Sequence, residues 1–109
     1  MSERADLLQG TLDLLILETI ARQPLHGWAI SKQIRERSAD ALHVNQGSLY
    51  PALYRLEARK WVRSEWGVSP EGRRAKFYSL TAAGTRQLAA ERDGWRRFAS
   101  AVELVLQPT

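Results

Sequence analysis

The chain has 109 residues and carries 16 Lys and Arg against 12 Asp and Glu, which gives a formal net charge of +4. A chain of this length forms one domain with at most one appendage, so a large substrate cleft is not expected. It contains no Cys, which excludes disulfides, thiolate metal sites and cysteine nucleophiles. Thirteen of the 16 cations are Arg, whose planar fork matches phosphates and guanine edges, so the charge balance favours nucleic acid as a partner.

The first predicted helix is apolar on two sides. Its two stripes comprise Leu8, Leu12, Leu15 and Thr19, and Leu7, Leu14 and Leu17. Such a helix needs two partners, which are its own core and the C-terminal helix of the same chain or of another subunit; a central helix buried in a monomer is the alternative. Asp13 and Glu18 interrupt the apolar stretch 12–20, which is shorter than the roughly 20 residues that span a bilayer. We therefore expect neither a signal peptide nor an anchor, and a cytoplasmic location.

A second helix is predicted to begin near His26–Gly27, after Gln23–Pro24 ends the first. Ile30 and Ile34 are four residues apart and are expected to face the core. Lys32 then faces outward. In a helix-turn-helix the helix before the reading helix crosses the DNA backbone, so Lys32 is a candidate phosphate contact.

The segment that starts at position 45 has the pattern of a DNA-recognition helix. Residues 45–48, Asn-Gln-Gly-Ser, are typical of a helix start, and a buried stripe follows at Leu49, Leu53 and Leu56. The outward face carries short polar groups and flat rings, which suit a groove better than water: Ser48, Tyr50, Pro51, Tyr54 and Arg55. Because a proline inside a helix removes a backbone hydrogen bond, either the first turn is distorted at Pro51 or the helix begins nearer Ser48.

A two-stranded wing is predicted to follow. Trp61–Trp66 and Ala75–Leu80 are strand-like, and the loop 67–72 between them contains one Pro and two Gly, which are typical of a chain reversal. Three cations at the outgoing edge of the tip could lie along phosphates or enter a minor groove: Arg73, Arg74 and Lys76. The alternative is that they protect an exposed hairpin edge. The predicted fold is therefore mainly α with a small β-hairpin, a winged helix-turn-helix.

The last predicted element is a helix that Thr81 caps and that runs from Ala82 to about Leu106. An apolar seven-residue repeat, interrupted only by Glu91, runs along it. The small domain formed by the first three helices cannot cover the whole of this apolar repeat, so a second copy of the chain is the expected partner. The resulting dimer would place two reading helices about 10 base pairs apart on DNA, or a multiple of that distance. The predicted division is a DNA-binding domain, 1–80, and a dimerisation helix, 81–109. The predicted dimer contacts are Leu14, Leu17, Leu88, Trp95, Phe98, Val102 and Val105.

These residues resemble the short class of the PadR-like family of transcriptional regulators. The shared motifs follow the family's order and spacing over nearly the whole chain: His26–Trp28, Gly47–Glu57, Glu65–Trp66, Gly72–Tyr78 and Leu80–Gly84. The resemblance implies a homodimeric bacterial repressor whose third helix enters the major groove while the wing contacts the flanking backbone. The implied DNA contacts are Gln46, Ser48, Tyr50, Pro51, Tyr54 and Arg55 on the helix, and Arg73, Arg74 and Lys76 on the wing. The base that each residue reads does not transfer, because regulators with this motif differ in operator.

The resemblance also concerns small molecules. Some members bind flat aromatic or drug-like effectors between their subunits through a tryptophan of the C-terminal helix, and Trp95 stands in the matching part of this chain. Trp95 is therefore the candidate effector contact, with plain packing in the dimer seam as the favoured alternative. No cofactor is implied.

Two residues depart from the family pattern. Trp28 stands where the family usually has Tyr, so the ring is kept but the hydroxyl is lost. Lys60 stands at the exit of the reading helix, where a Gly is common. A Lys held there at positive φ costs on the order of 1 kcal/mol, so replacing it with Gly is expected to raise the melting temperature.

Other classes of function are less favoured. A winged-helix interaction module could bind a partner protein through Trp66, Tyr50 and Tyr54, but that partner would need an acidic surface to accommodate the wing cations. An RNA-binding winged helix is a third hypothesis. An enzyme is not expected, because no glycine loop suits phosphate and no carboxylate stands at a triad or metal-site spacing from His26 or His43. His26 is instead expected to have a structural role.

Overall fold

The computed structural model describes residues 9–108, so Leu7 and Leu8 of the first predicted helix lie outside the described residues. Four helices and three strands follow in the order α1 (Gln9–Ile20), β1 (Leu25–His26), α2 (Gly27–Arg37), α3 (Gln46–Ala58), β2 (Val62–Val68), β3 (Arg74–Leu80) and α4 (Ala82–Leu106). The strands form an antiparallel sheet of order β1-β3-β2. This is a winged helix-turn-helix with an added C-terminal helix, which confirms the predicted fold class.

The core is built around α1, which is buried on most of its circumference. Ile16 and Leu17 are fully buried, and Asp13 and Thr19 are buried polar residues on the same helix. The Thr19 hydroxyl donates to the Leu15 carbonyl at 2.6 Å, which satisfies its hydrogen-bonding group inside the protein. The helix is thus the centre of the domain, and its second partner is α4 of the same chain.

Two of the predicted dimer contacts are corrected by this packing. Leu17 is 0% exposed and Leu88 is 3% exposed, and both belong to the hydrophobic core of one chain. α1 and α4 pack against each other in this core, so these leucines have no surface left for a second copy. Leu14, in the same stripe of α1 as Leu17, is only partly buried.

The starts of α2 and α3 are fixed by side-chain caps. The His26 ring accepts a hydrogen bond from the Ala29 amide at 3.3 Å, which confirms a structural role for this residue. Asn45 Oδ1 accepts from the Ser48 amide at 2.8 Å, so α3 begins after Asn45 and Pro51 lies inside the helix. The alternative start nearer Ser48 is therefore wrong.

The ends of the same two helices contain residues at positive φ. Lys60, after α3, has φ 64°, as the departure from the family's Gly predicted. Ala39 and Asp40, after α2, have φ 53° and 69° and were not predicted. All three occupy the left-handed region that favours glycine.

β3 is the central strand of the sheet, because an unpredicted strand pairs with its free edge. β1 is only two residues long and places Leu25 opposite Tyr78 and His26 opposite Phe77. The hairpin of β2 and β3 pairs from Val62 and Leu80 at its root to Val68 and Arg74 near its tip. It is longer than the sequence predicted, since the strands continue through Val68 and begin at Arg74.

α4 begins where the sequence predicted, with the Thr81 hydroxyl accepting from the Gly84 amide at 3.0 Å. Gly84 is required by a close approach, because a Cβ atom there would lie 1.9 Å from the Trp61 carbonyl oxygen. The helix continues to Leu106, and its last turns extend beyond the winged helix-turn-helix. Among residues 9–108, no helix combines the length and the apolar character needed to cross a membrane.

Candidate nucleic-acid interface

The exposed side of α3 carries five of the six side chains predicted to face DNA. Leu49, Leu53 and Leu56 lie on the opposite side of the helix and are buried in the core. The five exposed residues are Gln46, Ser48, Tyr50, Pro51 and Tyr54, which we call the reading face. Tyr54 is the most prominent aromatic residue among them, with 76% of its surface exposed.

Arg55 is not part of the reading face. Its guanidinium Nη2 donates to Asp13 Oδ1 on α1 at 2.9 Å, and the side chain is only 33% exposed. Position 55 adjoins the buried side of α3, next to Leu56, so a long side chain there reaches α1 instead of solvent. The expected DNA contact at Arg55 is therefore corrected. Sequence reasoning treated Asp13 only as an interruption of an apolar stretch, although a lone carboxylate among leucines was a signal for a buried partner.

The reading face is joined to α2 at its first turns. Gln46 Nε2 donates to the Ser31 hydroxyl at 3.1 Å. Tyr50 lies over Gly27, where a Cβ atom would be 2.4 Å from the phenolic oxygen. These contacts hold α2 and α3 at a fixed angle, and neither Ser31 nor the need for Gly27 was identified from the sequence.

The wing presents cations around one tryptophan. Trp66 and Lys76 are directly opposite each other in the hairpin. The Arg74 guanidinium lies 4.7 Å and the Lys76 ammonium 6.0 Å from the centre of the Trp66 ring. Such cation–π contacts hold a charged side chain over the ring while leaving its hydrogen-bond donors free.

Three cations near the tip of the wing lack ion-pair partners among the described residues. Arg73, Arg74 and Lys76 are all exposed, and within residues 9–108 none of them forms an ion pair. Lys32, the candidate phosphate contact on α2, differs, since its ammonium lies 3.4 Å from a Glu36 carboxylate oxygen. Arg73, Arg74 and Lys76 therefore present unpaired positive charge on one part of the hairpin.

A groove of about 720 Å³ separates the wing from the start of α2 and from Tyr50 of α3. Trp28 and Tyr50 line the side formed by the helices, and Trp66, Arg74 and Lys76 line the side formed by the wing. By strand alternation, the wing residues belong to the same face of the hairpin as the buried Tyr78. The core-facing side of the hairpin therefore continues beyond the core as one wall of a basic groove next to the reading face.

A second surface lies along α4. Trp95, Phe98, Val102 and Val105 are 46%, 62%, 38% and 83% exposed, although all are apolar. A shallow depression of about 430 Å³ between α1 and α4 is lined by Leu14, Trp95 and Phe98 among others. The remaining predicted dimer contacts and the candidate effector residue therefore share one exposed apolar surface, which we call the α4 seam.

Comparisons with known proteins agree with this architecture. Residues 16–90 match the sequence model of the transcriptional regulator PadR-like family. A transcriptional regulator of Mycobacterium tuberculosis is 34% identical over 84 residues, which are 77% of this chain and 75% of that protein. The crystal structure of a PadR-like transcriptional regulator from Bacillus cereus is similar with a TM-score of 0.80 at 27% identity, covering 94% of this chain and 97% of that one. A transcriptional regulator from Clostridium thermocellum gives a TM-score of 0.82 at 23% identity, over 91% and 96% of the two chains, a likeness of fold alone.

Proposed function

Because this chain belongs to the PadR-like family of transcriptional regulators, we propose that it is a homodimeric repressor that binds a specific operator in duplex DNA. The observation that carries this proposal is the position of the reading face beside the wing cations Arg73, Arg74 and Lys76, which have no ion-pair partner in the described part of the chain. A helix with short polar groups and flat rings fits the major groove, where base edges are read. Unpaired Arg and Lys beside it fit the phosphates.

The groove between wing and helices suggests a path for one DNA strand. Arg74 and Lys76 lie on one wall, and Tyr50, on the other wall, belongs to the reading face. A sugar-phosphate backbone that follows this groove would place the reading face in the major groove and Arg73, at the hairpin tip, over the neighbouring minor groove. Lys32 would contact a phosphate only after leaving Glu36, so we expect its contribution to be smaller.

The α4 seam supports the dimer. Four exposed apolar side chains at heptad spacing would be covered by the same surface of a second copy, as a two-fold interface requires. Leu14 lines the same depression and would join the contact. A small aromatic effector at Trp95 is the second use that this surface allows. A DNA-binding regulator of this kind would act in the bacterial cytoplasm.

The proposal is tested by fluorescence anisotropy with duplex DNA from the protein's own upstream region and excess unrelated duplex as competitor. We expect competitor-resistant binding that weakens steeply as salt rises, because neutralised phosphates release their counterions. Binding that the unrelated duplex abolishes would place the operator elsewhere in the genome. Absence of binding to either duplex at low salt would contradict the proposal and favour a protein-interaction module built on Trp66, Tyr50 and Tyr54.

Among the residues of the reading face, Tyr54 is expected to contribute most to the preference for operator DNA. We expect Tyr54→Ala to reduce the preference for operator over unrelated duplex by about 10-fold, the effect of one lost base contact, while the melting temperature stays unchanged. Tyr54→Phe, which removes only the hydroxyl, separates the ring from its hydrogen bond. An operator preference that survives in Tyr54→Ala would contradict this assignment of the reading face.

A further inference from the structure

The ion pair between Asp13 of α1 and Arg55 of α3 lies behind the reading face. The guanidinium and the carboxylate meet at 2.9 Å, and the two side chains retain only 33% and 13% exposure. Arg55 Nε is also buried, and it has no hydrogen-bond partner within residues 9–108. Two charged groups are therefore partly removed from water where they connect two helices, and one of their polar atoms lacks a hydrogen bond.

Stability alone does not account for this pair. Burial is the largest influence on the pKa of Asp13 and raises it, the charge and the hydrogen bond of Arg55 lower it, and the net shift is upward. Glu91 of α4 raises this pKa further, and Arg59 of α3 opposes it. The ionised carboxylate is thus less favourable here than in water, and buried pairs of this kind can often be replaced by apolar residues without loss of stability.

The Asp13–Arg55 ion pair also restricts the orientation of α3. Arg55 directly follows Tyr54, the most exposed ring of the reading face. A helix with its side chains is about 10–12 Å across, so a rotation of about 10° about its axis moves a side-chain end by about 1 Å. Binding sites must be held within about 0.5 Å of their working geometry. Fixing Arg55 to α1 therefore fixes which way Tyr54 points.

α1 is itself held by α4. Arg92 of α4 lies 2.6 Å from a Glu18 carboxylate oxygen of α1. Glu18 is five residues after Asp13, so the two carboxylates leave α1 on different sides. α1 thus connects the helix that carries the α4 seam with the helix that carries the reading face, through one ion pair at each contact.

We propose that Asp13 and Arg55 are positioning residues, which set the rotation of α3 relative to α1 and α4 and do not contact DNA themselves. This inference rests on the proposed DNA-binding function. It assigns to a buried carboxylate, remote from the nucleic acid, a share in operator specificity.

Two single variants test the proposal, Asp13→Asn and Arg55→Gln. Their affinities for the operator duplex and for an unrelated duplex are measured over a range of salt, at a temperature where circular dichroism shows each variant to be folded. We expect both to bind the operator about 10-fold more weakly, as if one base pair were mismatched. Affinity for the unrelated duplex and the salt dependence should stay at wild-type values, because no phosphate contact is lost. A purely structural role would lower the melting temperature and leave the preference of the folded protein unchanged.

The salt dependence separates positioning from direct contact. If Arg55→Gln reduces the slope of log affinity against log salt by about 1 while Asp13→Asn binds like the wild type, Arg55 contacts a phosphate and the proposal is overturned. Wild-type operator preference in both folded variants overturns it as well.

The double variant Asp13→Leu with Arg55→Met keeps the test decisive if a single variant fails to fold. Apolar side chains fill the site without a buried charge, so we expect a melting temperature at or above that of the wild type together with the same loss of operator preference. Wild-type preference in this variant would refute the proposal.

A readout without DNA separates this inference from the proposed function. Residual dipolar couplings of the α3 amides report the orientation of α3 relative to α1. We expect them to change in the folded variants, and unchanged couplings would overturn the inference even if the wild type binds its operator. Failure of the wild type to bind DNA would instead contradict the proposed function alone.

Discussion

The exits of α2 and α3 adopt the left-handed conformation without a glycine. Beyond α3, the Trp61 amide donates to the Leu56 carbonyl at 3.1 Å, and beyond α2 the Asp40 amide donates to the Arg35 carbonyl at 2.8 Å. These are the backbone bonds of a helix end that glycine normally occupies. Lys60 and Ala39 therefore carry a backbone cost of about 1 kcal/mol each.

Lys60→Gly should remove that cost. We expect the melting temperature to rise by about 4–8 °C, which corresponds to about 1 kcal/mol in a domain of this size, measured by differential scanning calorimetry. Lys60→Ala is the matched control, because it shortens the side chain but keeps a Cβ atom at φ 64°, and it should give no such gain. A drop on introducing glycine would show that the Lys60 side chain contributes more than its backbone costs.

Single residues were predictable where the pattern around them was informative. The position of Lys60 was predicted because a glycine is usual there, whereas nothing around Ala39 indicates a left-handed residue. Arg55 was assigned to the wrong partner because it follows Tyr54 directly and the sequence does not reveal which side of α3 faces α1. Its partner Asp13 stands 42 positions earlier, beyond the reach of any local pattern.

The two faces of the hairpin carry cations in different surroundings. Trp66 lies under Arg74 and Lys76 on the side of the groove, while Arg63 projects from the opposite face and bonds the Ser79 hydroxyl at 3.3 Å. Two exposed arginines therefore occupy the two faces of one hairpin. Only one of these faces lines the groove.

Arg74→Gln should weaken binding to operator and unrelated duplex alike and should reduce the salt slope by about 1, as expected for one lost phosphate contact. Arg63→Gln removes the same charge from the other face and should leave the salt slope unchanged. Anisotropy titrations over salt compare the two variants. Equal slopes for both variants would mean that the wing cations protect the hairpin edge and do not contact DNA.

Elements were predictable in proportion to their length and periodicity. α4 was predicted with its cap, because Thr81 precedes a long regular repeat. The hairpin was predicted from its Pro- and Gly-containing loop, with strand ends displaced by one or two residues. β1 was not predicted, since two residues carry no alternation and the strand exists only because β3 offers a free edge.

The whole molecule is elongated. Its extents are 56 × 31 × 21 Å and its radius of gyration is 15.2 Å, against about 13 Å for a compact domain of about 100 residues. The difference comes from α4, whose last turns project beyond the head with Leu104, Val105 and Leu106 more than half exposed. A lone chain would leave this surface in water, which favours a second copy.

Phe98→Glu should disrupt the dimer, because burying a carboxylate in an apolar interface without a partner is costly. We expect analytical ultracentrifugation to show a monomer, and operator binding to weaken because one head alone holds the DNA. Ser100→Glu places the same charge on the opposite side of α4 and should remain dimeric. A dimeric Phe98→Glu protein would show that subunits associate elsewhere.

For the whole molecule, the sequence indicated the apolar stripe of α4 but not which part of that stripe is buried within the chain and which part is exposed. The heptad repeat joins Leu88 and Val105 in one stripe, yet the former is 3% exposed and the latter 83%. Periodicity identifies an apolar face, whereas the packing of α1 decides where along α4 that face is already covered. That decision depends on tertiary contacts absent from any helical pattern.

The central position of β3 makes the wing and the head one cooperative unit. β3 pairs with β2 along the hairpin and with β1 at Tyr78 and Phe77, and α2 begins at the residue that follows β1. Peeling the wing from the sheet therefore also frees the cap of α2, so opening one without the other is disfavoured. Backbone amides around Tyr78 should exchange with solvent deuterium only when this whole unit opens, at a rate common to the hairpin root and the start of α2.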